Sequence, residues 1–371
     1  MTAGARRAGF SSLAPFADAL AWIGAYIGRL PAEAVAVQDA CGRVLAHPLT
    51  TTADWPDVGR AAIDGYAVSA EDTEGASDYS PLALRMATFV SSGAAMPDGA
   101  DAVIACSMTG STGGATQALA AVARGTGIVR RGGDAPLGFQ VPPGALRPEA
   151  AALLTLLGIA TVTVTRLPRV GLVVADPRSG PDVLAPMLRA LIARDGGITV
   201  QHIDLASLLV DDISLILLVG PTGSGRDDDM AMRLGAAGGM LDLHGIAMRP
   251  GESAGLGKLR GIPVMLIPDA PVEALAVWDL VAGPSVRAMG GRMSRAARPA
   301  MLGRKITSMV GVTDLVRVGM ADGHAMPLGP ADTGGLGRAV LSDGWVVVPD
   351  GHEGYPAGAA VAVHSPWAAG A

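Results

Sequence analysis

Cysteine and aromatic residues are scarce in this chain of 371 residues. It holds two cysteines, and aromatic residues make up 4% of it. Cys41 and Cys106 lie too far apart for the short spacings of a zinc site, and one such pair does not make a disulfide framework. This usage is typical of a reducing compartment, and we expect a cytoplasmic protein.

Long apolar runs and basic runs are also missing. The longest apolar runs, such as 213–219, have the length of a strand and not of a membrane span. No apolar stretch follows Arg6-Arg7 as it would in a signal peptide, so we expect neither a leader nor membrane association. The formal net charge is −6 and no segment concentrates Lys and Arg, which argues against electrostatic binding of nucleic acid.

Glycine and proline are abundant, with 51 and 26 residues, while half of the chain is hydrophobic. This combination indicates many turns in a folded chain long enough for two or three domains. Apolar residues three and four positions apart predict a helix over 13–30, capped by Ser11 or Ser12. Short alternating runs predict a mostly β module over 54–148, followed by a helix over 149–157.

The second half of the chain alternates predicted strands with predicted helices. Strands are predicted at 170–174, 198–203, 213–219, 245–248 and 264–267, and helices at 183–192, 227–238 and 272–280. This alternation is typical of a doubly wound α/β domain over about 168–290. Short strands after residue 299, such as Trp345–Val348, predict a small β domain at the end.

The glycine-rich segment Gly220–Gly225 follows the strongest predicted strand and precedes a predicted helix. Open α/β sheets bind ligands at this position, where backbone N–H groups and the helix N-terminus favour an anion. The segment lacks the Lys-Ser/Thr ending of a Walker loop, and an ordinary turn without a ligand explains it equally well. Asp228 opens the helix, where its carboxylate either holds Mg²⁺ beside a pyrophosphate or only stabilises the helix dipole.

Three motifs precede this half of the chain. They are Ala62-Ile63-Asp64-Gly65-Tyr66-Ala67-Val68, the run S-G-A-A-M-P-D-G-A-D-A-V at 92–103, and Arg130-Arg131-Gly132-Gly133-Asp134. The Asp-Gly pair of the first is typical of a tight turn, in which it supplies a positive φ ahead of a strand. As strings, these motifs resemble the molybdopterin molybdotransferases, the family of MoeA and the gephyrin E domain, and the resemblance extends over roughly 13–365.

The resemblance implies a multidomain α/β architecture in which one domain interrupts another. An elongated N-terminal α+β domain comprises 1–48 and 149–167, and a β-rich domain at 49–148 is inserted into it. A doubly wound α/β domain that binds molybdopterin follows at 168–291, and a small β domain at 299–371 ends the chain.

The resemblance also implies a reaction, which is the insertion of molybdate into adenylylated molybdopterin with release of AMP, assisted by Mg²⁺. The family acts as a homodimer, with the site between the α/β domain of one subunit and the β-rich domain of the other. By motif position, Asp64, Asp134 and Asp228 are catalytic, the last two at the metal. The implied cofactor-binding residues are Ser92, Gly220, Thr222, Gly223, Ser224, Gly225 and Arg249.

Several motif positions depart from the family pattern. Gly59 stands where the family has an acidic residue, with Asp57 two residues away as the candidate substitute, and Pro221 removes a backbone donor from the glycine-rich segment. Glu252, Asp269 and Glu273 stand where the family has Lys, Gly and Ser. Negative charge there repels a bound polyanion by roughly 1–4 kcal/mol per close pair.

These departures leave a second hypothesis open. In it the chain is a catalytically degenerate paralogue that binds molybdopterin as a carrier or as an assembly factor for a client molybdoenzyme. The changed positions favour this hypothesis, whereas the retained Asp64, Ser92, Asp134 and Asp228 favour the enzyme. A third hypothesis, a nucleotide-binding α/β protein of another kind, has only the glycine-rich segment in its favour.

Overall fold

A computed structural model describes residues 12–176, 180–202, 204–208, 212–223, 225, 228–331 and 335–365. The chain divides into two compact units, which are unit 1, Met1–Glu33 with Thr165–Ala371, and unit 2, Ala34–Val164. The helices are α1 Phe16–Tyr26, α2 Pro148–Leu156, α3 Leu184–Arg194, α4 Leu205–Leu208, α5 Met230–Ala236, α6 Pro271–Val277, α7 Gly283–Met289 and α8 Leu336–Val340. Within the described ranges, none of these helices has the length and apolar character needed to cross a membrane.

Unit 2 is built mainly from short strands, which confirms the β-rich character predicted for 54–148. The strands are β1 Ala32–Ala36, β2 Leu49–Thr50, β3 Arg60–Ala61, β4 Gly65–Val68, β5 Leu82–Ala83, β6 Thr88–Val90, β7 Ala102–Ala105, β8 Thr109–Thr112, β9 Ala115–Ala118, β10 Ile128–Val129, β11 Gln140–Val141 and β12 Thr161–Thr165. Strands β6, β4 and β7 form one antiparallel sheet, and β5, β9 and β8 form another. The helix predicted at 149–157 is α2, and Gly158 with its positive φ follows its end.

Gly65 does not have the positive φ predicted for it, because it is the first residue of β4 rather than a turn residue. A Cβ atom at this position would collide with the carbonyl oxygen of Ile104 in the adjacent strand β7. The motif therefore needs glycine because two backbones approach closely, and not because the chain turns there.

Unit 1 contains the predicted α/β domain. Its strands are β13 Arg169–Val174, β14 Ile198–His202, β15 Leu215–Gly220, β16 Met240–His244, β17 Met248–Arg249, β18 Gly255–Leu259, β19 Ile262–Pro268, β20 Arg298–Leu302, β21 Ile306–Thr307, β22 Thr313–Ala321, β23 His324–Pro327, β24 Gly344–Val348, β25 Gly354–Tyr355 and β26 Ala360–His364. The first sheet has the strand order β14-β13-β15-β19-β18-β16. Its first four strands are parallel, while β18 and β16 are antiparallel, so the sheet is mixed.

The strand predicted at 245–248 is wrong, and strand β18 was not predicted. Strand β16 ends at His244, and β17 joins a different sheet. Strand β18 contains Gly255 and Gly257, which weaken the strand signal in the sequence. Gly257 is needed there because a Cβ would collide with the carbonyl oxygen of Met240 in β16.

Strand β15 is buried along its whole length and packs on both faces. Leu215, Leu217 and Val219 belong to a core cluster that includes residues of α1, α3, α6 and α7. Ile216 and Leu218 point the opposite way, into a cluster that includes residues of α5. A continuous apolar run is therefore required, as expected for a parallel strand covered on both sides.

The C-terminal strands close into a barrel. Strands β22, β23, β20, β26 and β24 pair in that order, and β24 pairs back onto β22. Alternate valines such as Val316, Val318, Val346 and Val348 form the barrel core. The predicted small β domain is confirmed, and β17 extends it by pairing with β22.

The cap predicted for the first helix is wrong. Helix α1 begins at Phe16, and Pro15 takes the N-cap position without a side-chain hydrogen bond. Ser12 lies upstream of this start, and Ser11 lies outside the described residues. Proline suits the start of a helix because its fixed φ is close to the helical value and no backbone donor is lost.

We predict that Gly65→Ala lowers the stability of unit 2 by about 1–3 kcal/mol, because the new methyl group forces β4 away from β7. The measurement is the midpoint of urea unfolding. Gly59→Ala is the matched control in the same unit, since a Cβ there makes only ordinary contacts, at 3.8 Å from Met96. Equal midpoints for the two variants would contradict the close-approach explanation.

Candidate functional site

The carboxyl ends of β13, β15 and β19 border a cavity of about 280 Å³ in unit 1. Its wall includes Asp176 after β13, Gly220 and Pro221 at the end of β15, and Asp269 after β19. On the side of α3, Asp182 uses one carboxylate oxygen to accept the N–H groups of Leu184 and Ala185, at 3.0 and 3.1 Å. This is the edge where parallel α/β sheets bind ligands, and we call it the carboxyl-edge cavity.

Gly220, the first residue of the glycine-rich segment, is tightly packed. A Cβ on Gly220 would lie 2.8 Å from the Met230 sulfur and 3.0 Å from the Ala175 methyl group. Thr222 is buried, its hydroxyl lies 2.8 Å from the Ser253 hydroxyl, and its carbonyl oxygen lies 2.7 Å from Nε2 of His244. The Thr222 hydroxyl, predicted as a ligand group, is thus engaged inside the protein.

Asp228 folds back onto the same segment. Its Oδ2 accepts the N–H of Gly225 at 2.7 Å, and a Cβ on Gly223 would lie only 2.5 Å from that oxygen. Asp228 precedes α5, which begins at Met230, so it is not in the first helical turn as predicted. The carboxylate therefore occupies a position that a bound anion would take at the Gly225 N–H. Ser224 lies outside the described residues.

Arg249 is held by a buried carboxylate. Its Nε and Nη2 donate to the two oxygens of Asp314 at 2.8 and 2.7 Å, and the Ser308 hydroxyl also donates to Asp314, at 2.8 Å. Asp314 is 1% exposed. The positive charge predicted to face the ligand is thus neutralised by a bidentate pair that connects β17 to β22.

Glu273 lies within reach of the negative charges of two other acidic residues in unit 1 that depart from the family pattern. Burial raises the pKa of half-buried Glu273, and the negative charges of Glu252 and Asp269 raise it further. Asp269 also lines the carboxyl-edge cavity. Negative charge is therefore concentrated around Glu273, and Asp269 places part of it in the wall of the cavity.

In unit 2, the structure brings together two predicted site residues. Asp64 accepts the N–H of Ser92 at 2.7 Å, and the Ser92 hydroxyl donates to the carbonyl oxygen of Ala62 at 3.1 Å. Both side chains are exposed. The two motifs, 28 positions apart, thus form one polar turn on the surface of this unit.

Asp57 is connected to the same turn through Arg60. The Arg60 guanidinium donates to Asp57 at 2.9 Å and to the carbonyl oxygen of Gly93 at 3.0 Å, and it lies 5.4 Å from the centre of the Trp55 ring. The hydrogen bond from Arg60 holds the pKa of Asp57 below its usual range. A charged carboxylate therefore lies near the position where Gly59 replaces the family's acidic residue.

Asp134, also in unit 2, is exposed, and its N–H donates to the carbonyl oxygen of Trp55 at 3.1 Å. The loop it belongs to is fixed by Asp54, which sequence analysis missed. Asp54 accepts the N–H of Leu137 and Nε of Arg131, both at 2.8 Å, and these bonds, the backbone one first, lower its pKa. No spacing in the sequence connects Asp54 with a partner 77 positions away.

Across the described ranges, no three His, Cys, Asp or Glu side chains come together closely enough to hold a metal ion. The predicted metal residues also lie in different units, Asp134 in unit 2 and Asp228 in unit 1. A metal ion at Asp228 would need further oxygen ligands from a bound substrate.

We predict that Glu273→Gln stabilises unit 1 at neutral pH. Its pKa is raised in the folded state, so the glutamate matches glutamine in stability below its ordinary pKa of 4.5 and loses stability as the pH rises through the folded pKa. Urea unfolding at acidic and neutral pH measures the difference. The exposed Glu353→Gln in the same unit is the control, and a gain that is independent of pH would contradict the prediction.

Comparisons with known proteins identify the family that this chain resembles. Residues 14–158 match the family model of the MoeA N-terminal region, domains I and II, and residues 299–365 match that of the MoeA C-terminal region, domain IV. A putative molybdopterin biosynthesis protein of Methanocaldococcus jannaschii is 24% identical over 370 residues, which cover 89% of this chain and 91% of that protein. Molybdopterin molybdenumtransferase 2 of Mycobacterium tuberculosis is 26% identical over 326 residues, covering 74% and 80%.

A solved structure extends the likeness over nearly the whole chain. The molybdopterin biosynthesis MoeA protein of Pyrococcus horikoshii superposes with a TM-score of 0.71 at 26% identity, covering 96% of this chain and all of that one. The matched regions lie at both ends of the chain, and the superposition includes the α/β domain between them. This chain therefore belongs to the MoeA family.

Proposed function

We propose that this chain acts in molybdenum cofactor biosynthesis as a molybdopterin molybdotransferase, which inserts molybdate into adenylylated molybdopterin and releases AMP. The carboxyl-edge cavity carries the proposal, because it lies beside the glycine-rich segment at the ligand-binding edge of the α/β sheet. Relatives named molybdopterin molybdenumtransferase support this choice of substrate.

In this proposal Asp228 has two positions. Without substrate it accepts the Gly225 N–H. A pyrophosphate oxygen of the substrate would take over that N–H and release the carboxylate toward a magnesium ion. Mg²⁺ is commonly held by one or two carboxylates together with substrate phosphates, so Asp228 fits this role without a preformed cluster. The ion would neutralise the phosphate charge at the bond to be broken.

The second part of the proposal assigns a role to the polar turn of unit 2, formed by Asp64 and Ser92. Asp64 accepts the Ser92 N–H, while the Ser92 hydroxyl donates to the carbonyl oxygen of Ala62. We propose that this turn, with Asp134, acts on substrate bound by unit 1 of a second copy, so that the active protein is a homodimer.

We predict turnover when the protein is mixed with adenylylated molybdopterin, molybdate and Mg²⁺, scored by AMP release and by formation of active cofactor. Asp228→Asn is expected to lower the rate by about 10- to 100-fold, because it weakens the hold on the ion. Asp229→Asn is the matched control, since its carboxylate pairs with Arg233 at 2.9 Å instead. Equal losses in both variants, or none, would contradict the role of Asp228.

A mixing experiment tests the composite site. Asp64→Asn and Asp228→Asn are each expected to be nearly inactive alone, whereas equal co-expression recovers about a quarter of the unchanged activity. Random pairing makes half of the dimers mixed, and each mixed dimer has one intact site of two. Asparagine at position 64 still accepts the Ser92 N–H, so the turn is preserved. A mixture without recovered activity would rule out a site shared between subunits.

The alternative function is that of a carrier or assembly factor for a client molybdoenzyme. The negative charges of Glu252 and Asp269 near Glu273 favour it, because these charges oppose a substrate rich in phosphate. Pro221, which has no N–H to offer, favours it as well. Tight binding of molybdopterin without AMP release in the same assay is the result that would select this function.

A further inference from the structure

A second cavity lies in unit 1, with a volume of about 440 Å³. We call it the arginine cavity, because Arg287 and Arg295 line it together with apolar groups such as Phe16 and Leu280. Both arginines are bonded to Asp195, which ends α3 just before β14. Asp195 is therefore at the amino end of the parallel strands, the edge opposite the carboxyl-edge cavity.

The carboxylate of Asp195 is saturated with donors. One oxygen accepts Nη1 of Arg287 at 2.8 Å and Nη2 of Arg295 at 2.7 Å. The other accepts Nε1 of Trp278 at 2.8 Å and Nη2 of Arg194 at 3.1 Å. Burial by itself would raise the pKa of Asp195, but the arginines outweigh burial and hold the pKa below its usual range. Asp195 is thus a charged carboxylate whose two oxygens already accept four hydrogen bonds.

A second carboxylate, Asp279, lies between arginines in the same way and joins Asp195 in one network of charged groups. Its Oδ2 accepts Nη2 of Arg317 at 2.7 Å, and its Oδ1 lies 3.7 Å from Nη2 of Arg194. Among the described residues, Oδ1 has no hydrogen-bond partner, nor do the buried Nε atoms of Arg194 and Arg287. The group is therefore incompletely satisfied although it is largely buried.

The charges of this network do not balance. Two carboxylates, Asp195 and Asp279, face four guanidinium groups, which leaves an excess of two positive charges even with both acids ionised. No other carboxylate is among the described residues that line the cavity. Burial lowers the pKa of Arg295, and the charges of Arg194 and Arg287 lower it further against the attraction of Asp195. An anion in the cavity would relieve this repulsion.

Two stacked rings, Trp345 and His364, also belong to the lining of the cavity. The rings of Trp345 and His364 are stacked, with centres 6.0 Å apart and an angle of 17° between the planes. Burial lowers the pKa of His364 and so disfavours the charged form of this ring. A ligand that fits this lining combines a negative group with an apolar body.

We propose that the arginine cavity binds a small organic anion, whose carboxylate or phosphate accepts hydrogen bonds from Arg287 and Arg295 while its apolar body packs against the half-buried Phe16, Leu280 and Val347. Guanidinium groups suit both oxyanions, because their paired N–H donors match the spacing of two oxygens. The proposal does not depend on the function proposed above, since it involves the opposite edge of the sheet.

Isothermal titration of the full chain with benzoate, phenyl phosphate and inorganic phosphate tests the proposal. We expect either or both of the aromatic anions to bind more tightly than inorganic phosphate, and their comparison identifies the preferred headgroup. Arg295→Gln is expected to weaken binding at least about tenfold, the effect of losing one charged hydrogen bond. Arg166→Gln is the matched control in the same unit, since Arg166 pairs with Asp212 on the surface.

Two further variants distinguish a loss of binding in the arginine cavity from a loss of folding or from binding elsewhere. Arg295→Lys retains a charge beside Asp195 and is expected to fold, but it weakens binding because one ammonium group cannot serve both partners. Gly223→Ala alters the glycine-rich segment, where the new methyl group would meet the Asp228 carboxylate, and is expected to leave binding in the arginine cavity unchanged. Binding lost in Gly223→Ala, equal binding in Arg295→Gln and Arg166→Gln, or no binding of any probe by the unchanged protein would each overturn the proposal.

Discussion

The burial of β15 on both faces is the constraint on which unit 1 depends. Its side chains alternate between two core clusters, so helices must cover the sheet on each side. Because β13 and β19 pair with it in parallel, three strands end at one edge and leave their loops together there. The carboxyl-edge cavity is a consequence of this geometry, and the chain only has to supply suitable residues at the strand ends.

Much of the fold could be predicted from the sequence, because apolar spacing fixes which segments are buried. The runs that became β13, β15 and β19 need no knowledge of distant residues. Two errors arose where one backbone lies against another, at Gly65 and Gly257, whose missing Cβ is required by a neighbouring strand. A glycine in the sequence does not reveal whether it serves a turn or a close approach.

The site could be predicted only in part. The pairing of Asp64 with Ser92 follows motifs that the resemblance had already connected, and the acidic group around Glu273 was visible as substitutions. The hydrogen bond between the Asp228 carboxylate and the Gly225 N–H could not be predicted, because it depends on where α5 begins. The arginine network was beyond sequence analysis, since Asp195 gains partners 92 and 100 positions further along the chain.

The pairing of β24 with β22 closes the C-terminal strands into a ring. Each of these five strands pairs with a neighbour on both sides, and β17 adds to β22 at its first two residues. The described barrel strands therefore leave less unpaired backbone for an added peptide strand than an open sheet of the same five strands would. We expect recognition of this domain to depend mainly on its side chains and loops.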